Sequence, residues 1–186
     1  MPLPNIDRVQ SLAARRMLGC ALKNNQEVHC WSFETSRMEL IQAQPVAWAH
    51  NASTIAINNS SLCAVNPGQE EAVLRCGVAL DNGSTPHTIA RMKGAREVSV
   101  YGADVCALRA NGRVACLQPA SEAQPRPTWQ EVPTLDDVRT VSTGEGFACA
   151  MTRDQHVWCW GQGHRGQLGQ GRFQSSPTPV RVLGIQ

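Results

Sequence analysis

Eight cysteines fall into four pairs, Cys20 with Cys30, Cys63 with Cys76, Cys106 with Cys116 and Cys149 with Cys159, and the first members recur every 43 residues. Three equal intervals in a chain of 186 residues are the mark of a tandem repeat, and a repeat constrains the fold more than any single motif does. Each unit must bury its apolar face against its neighbours.

Apolar positions keep the same register. Leu12, Ile55, Val98 and Val141 stand eight residues before the first cysteines, and Val28, Leu74, Val114 and Val157 stand two before the second ones. Between them lie short apolar runs such as Val105-Cys106-Ala107-Leu108, bounded by Gly, Asn, Asp or Ser, which is the pattern of strands and leaves little room for helices. The units span approximately 6–45, 46–92, 93–134 and 135–186, within a single repeat domain.

Arg109-Ala110-Asn111-Gly112-Arg113 reads as a three-residue hairpin loop with Gly112 in the left-handed conformation. That loop sets Cys106 directly opposite Cys116, and the same spacing does so for Cys20 with Cys30 and Cys149 with Cys159. Antiparallel neighbours lie about 4.5 to 5.5 Å apart at Cα, within reach of a disulfide. The wider spacing of Cys63 and Cys76 calls for a longer tip through Asn66-Pro67-Gly68-Gln69 and leaves that bridge open. Buried reduced thiols, acting as small apolar side chains, are the competing reading. Zinc has less support, because no Cys-x-x-Cys occurs.

The fourth unit carries Phe147-Ala148-Cys149-Ala150-Met151, Val157-Trp158-Cys159-Trp160-Gly161, Gly166-Gln167-Leu168-Gly169-Gln170-Gly171 and Pro177-Thr178-Pro179-Val180. This string resembles the RCC1 (regulator of chromosome condensation) repeat, particularly the cysteine-paired form of secreted bacterial members. The resemblance implies an all-β fold, a β-propeller or partial propeller of four blades. None of the first three units has the Gly-Gln-Leu-Gly turn, which puts the regularity of their outer strands in question. Val180-Arg181-Val182-Leu183 reads as a final or swapped strand.

Composition removes several function classes. A net charge of +2, from 17 basic and 15 acidic side chains, gives no field favouring nucleic acid, and no apolar run is long enough for a membrane span. The start of the chain lacks the segments of a signal peptide, which beside paired cysteines suggests truncation from a longer exported protein. Gly161-Gln162-Gly163-His164-Arg165-Gly166 matches a dinucleotide fingerprint by letter, but the residues after it cannot start a long helix, so it reads as a turn. The five histidines form no ligand set and read as solvated strand or loop positions. Three sets of features read as plain connections or scaffold: the sequons at Asn51, Asn58, Asn59 and Asn82, the proline-rich segment from Leu117 to Thr128, and the recurring cysteines. No catalytic site, cofactor or metal is expected, and the chain is not expected to be an enzyme.

The turns before each first cysteine differ in chemistry while their frame repeats: Arg15-Arg16-Met17-Leu18, Asn58-Asn59-Ser60-Ser61, Tyr101-Gly102-Ala103-Asp104 and Gly144-Glu145-Gly146-Phe147. Variable loops on a constant frame are how a repeat protein builds a binding surface. The expected partner-binding residues are Arg15, Arg16, Met17, Asn58, Asn59, Tyr101, Asp104, Glu145 and Phe147, with Arg16, Tyr101 and Phe147 of the types that anchor interfaces. Untethered drift of loop residues is the competing reading. The resemblance implies a protein partner on this face. Nucleotide exchange on a small GTPase and a structural array in a larger surface protein are the alternatives, and the oligomeric state is left open.

Overall fold

The computed structural model describes residues 6–34, 39–58, 61–68, 71–80, 85–118, 122 and 126–184. Among the described residues sixteen strands form four antiparallel sheets, each of four strands that follow one another in space as in sequence. The first sheet is β1 (Val9–Arg15), β2 (Leu18–Lys23), β3 (Val28–Glu34) and β4 (Glu39–Pro45); the second is β5 (Thr54–Asn58), β6 (Ser61–Asn66), β7 (Ala72–Val78) and β8 (His87–Met92). The third is β9 (Ala95–Tyr101), β10 (Asp104–Arg109), β11 (Val114–Gln118) and β12 (Thr128–Glu131); the fourth is β13 (Val138–Gly144), β14 (Phe147–Thr152), β15 (Val157–Gly161) and β16 (Ser176–Arg181). Each sheet has the construction of a propeller blade. Among the described residues the one helical element is the 3-10 turn Ala47–Ala49. The chain divides into two compact units, Met1–Lys93 with blades 1 and 2 and Gly94–Gln186 with blades 3 and 4.

Register follows from the hairpin loops. The Arg109 amide donates to the Arg113 carbonyl (2.8 Å) and the Gly112 amide to the Arg109 carbonyl (3.0 Å), with Gly112 at φ +78°. Lys23 to Glu27 and Thr152 to His156 close the same way, with Gln26 and Gln155 at the left-handed position (φ +65° and +66°). Because these closing residues form hydrogen-bonded pairs, alternation along an antiparallel ladder puts each cysteine pair three steps on at a narrow, non-hydrogen-bonded pair. Cys20 faces Cys30, Cys106 faces Cys116 and Cys149 faces Cys159, and all three pairs are disulfides. Cys63 also faces Cys76 directly and is bridged to it, so the longer tip costs the second blade nothing in register. The Cα separations are 4.0 to 4.1 Å, closer than the sequence-based expectation because the bridged positions are the narrow ones.

Outer strands form in every blade, with or without the Gly-Gln-Leu-Gly turn. In the first three blades the fourth strand pairs along the third over several residues, so ladder hydrogen bonding holds it without that turn. Val180 and Arg181 end the fourth strand of their own blade, paired with Cys159 and Trp158, and Val182 and Leu183 lie beyond it.

The core of each unit lies between its two blades. In the first unit Leu18, Cys20, Leu22, Val28 and Cys30 of blade 1 pack with Ile55, Ile57, Leu62 and Ala64 of blade 2. In the second, Cys106, Leu108 and Val114 of blade 3 pack with Val138, Val141, Ala148, Ala150 and Trp160 of blade 4. Ile55, Val98 and Val141 are buried as their pattern predicts, but Leu12 is 66% exposed. One histidine departs from the solvated reading: His29 is 9% exposed, because β3 is an interior strand covered on both sides by β2 and β4.

Candidate functional site

The turns expected to carry binding residues are all tight hairpins. Arg15 pairs with Leu18, Asn58 with Ser61, Tyr101 with Asp104 and Gly144 with Phe147, leaving two residues at each tip. Arg16 (φ +54°) and Gly102 (φ +61°) take the left-handed conformation at the first tip position, whereas the fourth turn places Gly146 (φ +73°) at the second. The first pattern is that of a type II′ turn, whose twist matches the flanking strands, and it suits Gly102 better than Arg16.

In the second unit these turns are bound to each other by a polar seam. Side chains of β9 reach the neighbouring inner strand β13 one repeat further on: the Glu97 carboxylate accepts from the Thr140 hydroxyl (2.7 Å) and the Val141 amide (3.2 Å). Ser99 Oγ accepts from the Thr143 amide (2.9 Å). At the end of the seam Asp104 Oδ2 accepts from the Gly146 amide (2.8 Å), fixing the blade 4 turn to the blade 3 turn. In the first unit Ala13 and Ala56 take the place of Ser99, so those inner strands meet without that hydroxyl.

Above the seam opens a cleft of about 590 Å³ lined by Tyr101, Thr143, Gly144, Glu145, Phe147, Gln162, His164, Arg165 and Gln167. Phe147 lies across Gly144, where a Cβ would stand 2.2 Å from the ring, so the glycine is required for the aromatic floor. Phe147 also lines a smaller cleft of about 210 Å³ with Asp104, Gly146 and Trp160. One wall comes from the loop after β15. Gln162 donates its amide to the Gly146 carbonyl (2.7 Å), and Gly163 donates to Ser175 Oγ (3.1 Å), which is hydrogen-bonded to His164 Nε2 (3.2 Å). The segment 161–171 is a chain of turns with Gly161, Gly166, Gly169 and Gly171 at positive φ, pinned by the buried Leu168, and no helix follows it. A dinucleotide fingerprint has no helix N-terminus to work with there.

The structure thus brings together three of the nine expected residues, Tyr101, Glu145 and Phe147, with Asp104 beneath them. Arg15, Arg16, Met17 and Asn58 occupy the corresponding turns of the first unit, where Arg16 and Met17 are exposed, and Asn59 lies outside the described residues. The sequons at Asn58, Asn59 and Asn82 each reach into residues outside the described ones as well. Gln162, His164, Arg165 and Gln167 were missed from sequence because the glycine-rich segment was read only as a turn. Its signal was the clustering of His, Arg and Gln around a single apolar residue, Leu168. The cleft offers aromatic surface, amide and imidazole groups and charges of both signs at its rim. Among the described residues no cluster of His, Cys, Asp or Glu could hold a metal ion.

Four-stranded, cysteine-stapled blades at a 43-residue interval define an all-β protein of the RCC1-like propeller type. Family models of the Regulator of chromosome condensation (RCC1) repeat match residues 138–167 and 154–186, and the chain carries that repeat. It is 36% identical over 62 residues to the human protein described as probable E3 ubiquitin-protein ligase HERC6, covering 32% of this chain and 6% of the relative. It is 34% identical over 61 residues to the human Regulator of chromosome condensation, covering 31% and 14%. Among solved structures it is similar to Prp20p from Saccharomyces cerevisiae, studied with its binding properties to Gsp1p and histones, at TM-score 0.70 and 15% identity. That match covers 97% of this chain and 52% of Prp20p. Yeast RCC1 (Prp20) bound to Kap60 gives 0.67 at 16% identity, covering 94% and 48%, and human WBSCR16 gives 0.62 at 13%, covering 94% and 52%. At these identities the likeness is one of fold. The chain spans about half the length of these structures and a small part of the curated relatives.

Proposed function

We propose that this chain is a non-enzymatic protein-binding module of an exported bacterial RCC1-like protein, which takes its partner through the hairpin turns between the first two strands of its blades. The observation that carries this reading is the Tyr101–Phe147 cleft. An aromatic floor with a polar rim is held in one geometry by Asp104 and Gly146, so little ordering entropy is lost when a partner side chain enters it. The solved relatives support a protein partner, since Prp20p was characterised with Gsp1p and histones and crystallised with Kap60. Four disulfides support an oxidising compartment, outside the cell or in its envelope.

The test is a binding screen of secreted and envelope proteins, followed by affinity measurement with Tyr101→Ala and Phe147→Ala and with Arg16→Ala in the first unit. The expected result is a loss of tenfold or more for the two aromatic substitutions, because anchors of this kind each contribute about 2 kcal/mol or more. Unchanged affinity in folded variants removes the cleft as the binding site. Acceleration of nucleotide release from a GTPase would replace the reading with the exchange alternative.

A further inference from the structure

The cleft of Tyr101 and Phe147 has an acid on one side and a base on the other, and the two are not paired. Glu145 stands on the turn between β13 and β14, and Arg165 on the loop after β15. Both line the cleft and both are exposed, yet among the described residues neither enters an ion pair. Elsewhere in the same unit carboxylates have found partners. Glu97 accepts from Thr140 and Val141, and Asp104 accepts from Gly146. Glu131, Asp136, Asp137 and Asp154 lie against Arg109, Arg113, Arg153 and His156 respectively.

Each charge is held in place by its backbone. Gly146, next to Glu145, donates its amide to Asp104 Oδ2 (2.8 Å) and accepts at its carbonyl from the Gln162 amide (2.7 Å). On the loop, the Arg165 amide donates to Gln167 Oε1 (2.9 Å), the Gly166 amide donates to the Gly163 carbonyl (2.9 Å), and Leu168 is buried beneath them. The loop side has no acid of its own: residues 155–186 include Arg165, Arg172 and Arg181 but no Asp or Glu. Two fixed backbones therefore hold opposite charges around one aromatic floor.

We propose that this cleft selects a bipolar protein segment: an aromatic or long aliphatic side chain settles against Tyr101 and Phe147, an acidic neighbour meets Arg165, and a basic neighbour meets Glu145. The inference rests on the protein-binding reading of the same cleft and adds the chemistry of the partner. Charge complementarity chooses the occupant. A purely acidic segment would bring like charge against Glu145, and a purely basic one would bring it against Arg165. An uncharged segment that covered the cleft would desolvate both charges and give neither a partner.

The test is the binding of short blocked peptides to the disulfide-intact chain, followed by amide NMR shifts of the isotope-labelled protein. Each peptide has a central tryptophan between glycines, and its ends are acid and base in either order, both acid, both base, or both serine. A bipolar peptide should bind at least about threefold tighter than the others, because exposed ion pairs each add modestly, and high salt should erase the difference. Arg165→Glu should move the preference to the doubly basic peptide and Glu145→Lys to the doubly acidic one, with melting curves confirming folded variants. Phe147→Ala should weaken every peptide. Equal binding of all the peptides, with shifts at Phe147, would leave the protein-binding reading standing and overturn the charge assignment. A preference of the unmodified chain for the doubly acidic or the doubly basic peptide would overturn it too. Peptides that bind without regard to Phe147, or not at all, would remove the cleft reading and the inference together.

Discussion

Asp104 and Gly146 sit in different blades and are joined by one hydrogen bond, the Gly146 amide donating to the Asp104 carboxylate at 2.8 Å. The bond closes a seam in which β9 side chains serve β13 backbone amides one repeat away. It thereby sets the relative position of the two turns whose residues Tyr101 and Phe147 line one cleft.

Removing the carboxylate should therefore cost stability and cleft geometry together. Asp104→Ala leaves the Gly146 amide, half-buried in a turn, without its acceptor, a loss of about 1 to 3 kcal/mol. Asp104→Asn keeps an acceptor but gives up the charge-assisted part of the bond and should lose roughly half as much. Thermal melts of both variants check the order, and a partner bound at Tyr101 should report a parallel fall in affinity.

The three short hairpin loops supply a second prediction, because the same left-handed position is filled by Gly112 in blade 3 but by Gln26 and Gln155 in blades 1 and 4. A non-glycine residue there costs about 1 to 2 kcal/mol, against about 0.5 to 1 kcal/mol for the extra freedom glycine loses on folding. Gln155→Gly should be neutral to stabilising by up to about 1 kcal/mol. Gly112→Ala should destabilise by about 1 to 2 kcal/mol, and the Asp137 backbone 3.3 Å from its new Cβ adds to the strain. Denaturant midpoints of the two variants decide it.

The same positions show what the amino-acid sequence could and could not reveal. The cysteine interval and Gly112 were legible because the residue type itself reports the backbone need. Arg8, Asn51, Gly94 and Asp137 are also spaced at 43 residues and all have positive φ, from +50° to +66°. Four different residue types hide that repeat. Leu12 reads as core because pattern identifies the apolar face of a strand, whereas burial depends on what lies against it. The cleft was half visible: Tyr101, Glu145 and Phe147 came from repeat equivalence, but the wall from Gln162 to Gln167 belongs to the glycine-rich stretch that runs into Gly-Gln-Leu-Gly, a motif that the sequences of the first three units do not carry.

Disulfide reactivity should follow exposure, since exchange needs a thiolate to reach a sulfur. Cys20 and Cys30 are both fully buried, whereas Cys149 is half-exposed beside a buried Cys159. Limited reduction and alkylation should label Cys149 early and the Cys20–Cys30 pair last. Peptide mapping over time reads the sequence of events; early labelling of Cys20 would contradict the burial order. Full reduction should remove about 2 to 3 kcal/mol for each bridge, each closing a loop of 10 to 13 residues.

The last prediction concerns acid. The Thr152 hydroxyl donates to Asp154 Oδ1, and the His156 amide and ring lie beside the same carboxylate, with Nδ1 2.8 Å from Oδ2, so the Asp154 carboxyl is held below its ordinary range. Asp7, beside the Lys23 ammonium (3.1 Å), is held low in the same sense. A carboxyl whose folded pKa is depressed contributes stability that is fully present above the unfolded value of about 4 and is lost as pH falls through the lower, folded value. Both groups are exposed, so their effect on global stability is small and the sensitive measurement is local. In a carboxylate-detected NMR titration, Asp154 should titrate below the ordinary aspartate range, and Thr152→Val should move its midpoint upward by removing the largest cause of the depression. Because the Thr152 hydroxyl also reaches the His156 carbonyl (3.1 Å), the variant loosens the loop closure as well. Lys23→Met separates the two effects: it should raise the Asp7 midpoint and leave Asp154 where it was.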